Sequence, residues 1–132
     1  MLDEGKIKPT KNIADDLKKV TIHDPCLIAR NLEDTSSIRA ILGNIPGLEL
    51  IEPRFNKEDV HCCGWSGTAH WADRDLAIKE ATIRVSELKD TGAEIFVSAC
   101  PLCELGLAYG LKEDEKEKIK IMDVSELLNK VL

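Results

Sequence analysis

The residues best suited to chemistry are five cysteines with uneven spacing. Cys26 stands alone, Cys62 and Cys63 are adjacent, and Cys100 and Cys103 are three apart, giving C-x35-CC-x36-C-x2-C. Thiolates are soft ligands that suit zinc and iron-sulfur centres. A disulfide within Cys62-Cys63 fits poorly, because neighbouring Cα atoms sit about 3.8 Å apart whereas ordinary bridges span about 4.4 to 6.8 Å. Structural zinc closes at four ligands, fewer than the thiols present. A redox dithiol on Cys100 and Cys103 leaves three cysteines without a role. A shared metal or cluster site therefore leads, with four-ligand zinc, a dithiol and inert buried thiols as the alternatives.

Other residue types near these cysteines carry weaker signals. His23, His61 and His70 each lie close to a cysteine group, but five thiols make histidine ligation unnecessary; His61, which abuts Cys62, is the first candidate if one ligates. Asp24 reads as a turn residue before Pro25 that could also accept backbone hydrogen bonds at a strand end. Trp65 and Trp71 flank the CC-G loop and read either as core or as a shield and docking patch. Gly64 and Gly67 suit a positive φ or a close backbone approach beside a metal.

The chain of 132 residues has the size of one domain, and with 43% hydrophobic and 32% charged residues it has a globular composition. Eighteen basic against 24 acidic residues give a net charge of −6, which disfavours nucleic acid and anionic membrane surfaces as partners. No apolar run is long enough to span a bilayer, so a cytoplasmic location, or one peripheral to a membrane complex, is expected. No phosphate loop, G-x-S-x-G or H-E-x-x-H occurs.

The elements that must position the cysteines alternate. Val20 to His23 is a β-branched run halted at Asp24-Pro25, which puts Cys26 just past a strand end. Asp34 is placed to cap a helix with Ile38, Ile41, Leu42 and Ile45 on one face, stopped by Pro46-Gly47, and Leu48 to Ile51 follows as a strand. The CC-G turn leads through Ser66-Gly67-Thr68 into one long helix with Ala77, Ile78, Ala81, Val85 and Leu88 on a stripe. Glu94 to Ser98 is a third strand. Pro101 at a first helical position makes Cys100 its N-cap and puts Cys103 over the same turn, where the helix dipole favours thiolate. The charged run Lys112 to Lys120 reads as a solvated helix end or loop; Ile119 to Met122 is a fourth strand, and Val124, Leu127, Leu128 and Val131 mark a closing helix. The expected fold class is α/β, a Rossmann-like three-layer domain with a mostly parallel sheet of about four strands and helices on both faces. Ligands of such sheets gather beyond the carboxyl ends of the strands, and all three cysteine groups fall there.

The segments Val20 to Cys26, Ile45 to Ile51, Cys62-Cys63-Gly64, Thr91 to Cys103 and Asp123 to Leu128 together resemble the cysteine-rich CCG domain found in the B and D subunits of heterodisulfide reductase and in related iron-sulfur oxidoreductases. The resemblance implies that Cys26, Cys62, Cys63, Cys100 and Cys103 hold a 4Fe-4S cluster, which takes a non-cubane form with five thiolate ligands in the B subunit. It implies electron transfer to or from a disulfide or thiol substrate, with other subunits or domains of an electron-transfer complex as partners. Relatives serve quinone-linked oxidation of organic acids, and some copies of the domain bind zinc, so a subunit of a quinone-linked organic-acid dehydrogenase and a zinc-binding structural or docking domain are the alternatives. The resemblance covers residues 20–132, and residues 1–19 look like the linker that joins two copies, as expected of a C-terminal half. Leu27 stands where the family often has His, and Trp65 to His70 where it is richer in glycine. Ferredoxin-type C-x2-C-x2-C-x3-C runs are absent from this sequence, so a ferredoxin-type iron-sulfur partner is expected to deliver the electrons.

Overall fold

Every strand runs the same way. The computed structural model describes residues 5–65, 67 and 69–132, so Met1 to Glu4 of the linker-like segment and Ser66 and Thr68 of the expected loop-to-helix junction lie outside the described residues. In chain order the elements are β1 (Lys19–Ile22), α1 (Ser37–Gly43), β2 (Glu49–Ile51), α2 (Ala69–Ala72), α3 (Arg74–Lys89), β3 (Ile95–Ser98), α4 (Pro101–Gly110), β4 (Lys120–Asp123) and α5 (Val124–Asn129). The sheet order is β2-β1-β3-β4, all parallel. From β1 the chain winds outward to β2, and from β3 it winds the opposite way to β4. The carboxyl ends of β1 and β3 therefore form a topological switch point.

Alternation along the strands divides the core between two faces. Val20 and Ile22 pair in register with Ile95 and Val97, and all four pack with Ile38 and Leu42 of α1 and with Val124 and Leu127 of α5. Phe96 points the other way, against Val85 and Leu88 of α3 and Leu107 of α4. The three-layer α/β architecture expected of near-continuous apolar strands is present. Ile13 and Leu17 join the first of these clusters, and the Thr10 N–H donates to Val131 O at 2.8 Å. Part of the N-terminal segment is thus seated on the α1 and α5 layer.

Two helices differ from expectation. The single long helix after the CC-G turn is broken between α2 and α3 at Asp73, whose extended backbone and side chain cap α3 through the Leu76 N–H at 3.0 Å. A side chain that satisfies an orphan N–H stabilises a new helix start at the expense of continuity. Helix α1 stops at Gly43, short of Ile45, which is buried in the turn that follows. Ala77, Ala81, Val85 and Leu88 of α3 are buried as the stripe predicts, and Arg84, unforeseen, is buried with them.

Candidate metal centre

Three connections bring the thiols to the switch point. The His23 N–H donates to Val97 O at 2.8 Å, which extends the β1 to β3 ladder one residue past β1, and Ser98 Oγ donates to His23 O at 3.1 Å. Pro25 ends the pairing, and Cys26 opens a single π-helical turn over Leu27–Asn31. Cys100 is the N-cap of α4 with Pro101 at the first helical position, and Cys103 follows within the first turn. Both features match the sequence reading, because proline there removes a donor that has no partner in a helix.

Cys62 and Cys63 arrive on an irregular segment that three arginines hold. Arg39 forks onto both carboxylate oxygens of Asp24 at 2.8 and 2.9 Å, and Asp24 accepts the Lys57 backbone N–H at 2.7 Å. Arg30 donates to Glu58 O at 2.9 Å and to Val60 O. Arg84 Nη1 donates to Phe55 O at 2.9 Å and to Glu87 at 2.8 Å. Asp24 is thus the acceptor at the strand end as well as the turn residue before Pro25. Burial raises its pKa, but the hydrogen bonds from Arg39 and Lys57 and the Arg39 charge outweigh that and hold it below the usual carboxylate value.

Two glycines let the CC-G segment approach its helices. Gly64 has φ +78°, and a Cβ there would lie 2.2 Å from Ala77 O of α3. A Cβ on Gly106 of α4 would lie 2.7 Å from Cys63 O. Any larger residue would lift the cysteine loop off α3 or α4. Trp65, 1% exposed, fills the space beside this crossing and stacks on Tyr109 and His70 at centroid distances of 4.6 and 5.3 Å. Trp71 is 82% exposed, so the two tryptophans divide between the core and the surface.

Cys26, Cys63, Cys100 and Cys103 line one largely apolar cleft of about 380 Å³, with Pro25, Leu27, Asn31, Gly67 and Leu102 as its other walls. Cys62 does not line the cleft but packs against the Cys63, Trp65, Ala77 and Cys103 cluster, as Cys100 does, and its Sγ accepts the Gly64 N–H at 3.3 Å. A ring nitrogen of His23 and the Sγ atoms of Cys63 and Cys103 lie within 4.8 Å of one another, all three residues buried. The histidine brought to the thiols is therefore His23. His61 instead stacks on Phe55 and pairs with Glu87. Burial on the end of β1 is the signal that would have singled out His23, because Val20-Thr-Ile-His continues an apolar strand.

Burial and the neighbouring thiol and carboxyl groups set the protonation of the site. The Cys63 thiol is pushed up to about 12, chiefly by its hydrogen bond with Cys103 and further by burial. An incoming cation must therefore displace a thiol proton. Burial, with the Arg84 charge adding to it, holds His23 down to about 3, so the ring is neutral. Glu104, next to Cys103, is pushed up to about 7, mainly by burial and then by Asp123 and Glu126. His23 Nε2 and Arg84 Nη2 are buried without a partner among the described residues. Buried N–H groups left unpaired cost free energy, and an anionic sulfur-rich centre would satisfy them. The soft donor set and these two donors fit a thiolate-held cluster.

A family model described as CCG, a cysteine-rich domain, matches residues 20–108. Over all 132 residues the chain is 34% identical to the D subunit of the dihydromethanophenazine:CoB–CoM heterodisulfide reductase of Methanosarcina barkeri, of which it covers 31%. It is 30% identical, over 97% of its length, to a probable iron-sulfur-binding oxidoreductase FadF of Bacillus subtilis, covering 18% of that protein. It is 27% identical, again over 97% of its length, to the B subunit of the CoM/CoB fumarate reductase of Methanothermobacter marburgensis, covering 24%. The chain thus spans less than a third of the length of these curated relatives.

Proposed function

The chain belongs to the CCG cysteine-rich domain family, and from that premise we propose that it holds an iron-sulfur centre on Cys26, Cys62, Cys63, Cys100 and Cys103. In this reading it is one domain of a heterodisulfide reductase-like oxidoreductase that passes electrons between a ferredoxin-type partner and a disulfide or thiol substrate. The observation that carries the reading is the convergence of cysteines from three separate connections on one mostly apolar cleft at the switch point. Support for the class comes from relatives named as heterodisulfide reductase, iron-sulfur-binding oxidoreductase and fumarate reductase proteins. Among the described residues no helix is long and apolar enough to cross a membrane; in this reading the domain works on the cytoplasmic side with other subunits.

The bound centre supplies one-electron transfer. The chain's own residues set its surroundings. Cys100 and Cys103 sit at the positive end of the α4 dipole, which favours thiolate. Pro25, Leu27 and Leu102 give the cleft apolar walls, and the buried Arg84 cation offsets part of the charge that five thiolates bring.

A second reading has its own observation: with Cys62 off the cleft wall, the remaining four thiols match the ligand count of a structural zinc site. Iron, zinc and acid-labile sulfide per chain, measured on protein prepared without oxygen, separate the two. Iron with matching sulfide and a broad absorption near about 400 nm is expected, together with loss or change of that absorption in Cys63→Ser. Stoichiometric zinc without sulfide would overturn the cluster assignment, and a Cys63→Ser spectrum identical to the parent would overturn the ligand assignment.

A further inference from the structure

Resting on the proposed iron-sulfur centre, we infer that His23 is a hydrogen-bond donor to the sulfurs of that centre, not a ligand, and that Arg84 is the positioning residue that fixes it in this role. The inference follows from which ring nitrogen is already engaged. Arg84 Nε carries a hydrogen and has no lone pair to offer, and it donates to His23 Nδ1 at 3.0 Å in a fully buried contact. His23 Nδ1 is therefore the acceptor nitrogen, and in the neutral ring the proton resides on Nε2. That Nε2–H has no acceptor among the described residues, while the ring lies beside the Cys63 and Cys103 sulfurs. A nitrogen that bears a proton cannot coordinate a metal. It can donate to a thiolate or to a bridging sulfide.

The backbone around His23 leaves the ring little freedom. Its N–H and C=O are both bonded to β3, through Val97 O and Ser98 Oγ. Arg84 is in turn anchored by Glu87 and Phe55 O. The same arrangement serves a redox purpose. A centre held there would become one unit more negative on accepting an electron from a one-electron donor, with no proton transferred and Nε2–H kept on the ring. A donor to sulfur interacts more strongly with the more negative state, so His23 raises the reduction potential.

The test uses anaerobically reconstituted full-length chain, with iron and sulfide counted in every sample, and two substitutions of different chemistry. His23→Gln places an amide N–H near the position of Nε2, and His23→Leu removes the donor. In reductive titration His23→Leu is expected to lower the reduction equilibrium constant about tenfold, a shift of about 59 mV to more negative potential for a one-electron couple, with His23→Gln closer to the parent. Loaded variants with potentials equal to the parent would overturn the inference.

An independent readout needs no cluster. Nitrogen-15 NMR of the metal-free chain is expected to show the Nε2–H tautomer of His23, and conversion to a mixture of tautomers in Arg84→Gln. An Nδ1–H tautomer in the parent would overturn the inference. If the parent takes up no iron, the cofactor reading fails on its own count, and the tautomer still decides the fixed orientation of His23.

Discussion

The two ends of the same four strands are built on opposite principles. At the amino ends, Asp15, Asp16, Lys18, Lys19, Glu49 and Glu94 border an open cleft, where charges are met at the surface, Lys18 pairing with Asp15 and Lys120 with Asp16. At the carboxyl ends, His23, Asp24 and Ser98 are buried, and each must find a partner inside the protein. Asp24 and Ser98 do so, while His23 satisfies one ring nitrogen and leaves the other unpaired among the described residues. Burying polar groups without partners is unfavourable, so an end that does it beside four cysteines is built around something that completes it. The difference teaches that the sheet supplies stability along its length and chemistry at one end only.

Substitutions can break or sharpen that contrast. The largest effect is expected for Gly64→Ala, where a left-handed backbone and a Cβ 2.2 Å from Ala77 O coincide. Strain and overpacking together predict a loss of roughly 3 to 5 kcal/mol in denaturant unfolding, with metal binding lost as the CC-G loop moves off α3. A loss below about 1 kcal/mol would mean that the loop yields, and the carboxyl end is less rigid than described.

Next in size is Leu127→Ala, in the core face away from the cleft and 0% exposed. The cavity should cost about 3 kcal/mol, read from the unfolding midpoint at constant slope. Metal per folded chain should be unchanged, because α5 supplies stability and none of the cleft wall. A parallel fall in metal content would erase the distinction between the two regions.

Cys103→Ser inverts that pattern. In the metal-free chain its stability should change by less than about 1 kcal/mol, whereas iron retained per chain should fall to a small fraction of the parent value. Retention of the full iron content would remove Cys103 from the ligand set.

The smallest effect concerns Asp34, which is not part of the cleft wall. Its carboxylate accepts from the Ser36 and Ser37 N–H groups at 3.1 and 2.9 Å, and the hydrogen bonds from Ser37, with those from Ser36, hold its pKa down to about 2. A carboxylate whose folded pKa is depressed stabilises the fold above its unfolded value, near about 3.9, and that contribution is lost as pH falls toward its folded value. The difference in Tm between the parent and Asp34→Ala should thus be present at neutral pH and shrink between about pH 4 and pH 2. A difference that stayed constant through this interval would show that the carboxylate charge has no part in the cap.

Much of this layout is legible in the residue order. Asp24-Pro25 marks where β1 ends, Pro101 marks where α4 begins, and Thr91-Gly92 marks the end of α3. The break at Asp73 was not legible as a break, because a lone aspartate inside a helical stripe is equally compatible with a solvent-facing residue. Arg84 was hidden for the opposite reason. A charged residue within an apolar stripe reads as an intruder until its partners, His23, Phe55 O and Glu87, are seen from distant parts of the chain. His61 attracted attention by adjacency to Cys62, yet adjacency along a backbone fixes only the neighbouring Cα. His23 lies far from Cys63 and Cys103 in sequence and beside them in space.

The sequence by itself determined the parallel α/β alternation, the five cysteines as the chemical feature, and their delivery to the carboxyl ends of the strands. Those follow from local rules: periodicity, proline and glycine stops, and helix capping. Tertiary structure decided which thiols share the cleft, which histidine sits with them, and which nitrogen of that ring is free to donate. Such choices depend on burial and on hydrogen bonds between residues tens of positions apart, and those exist only once the sheet has brought the residues together.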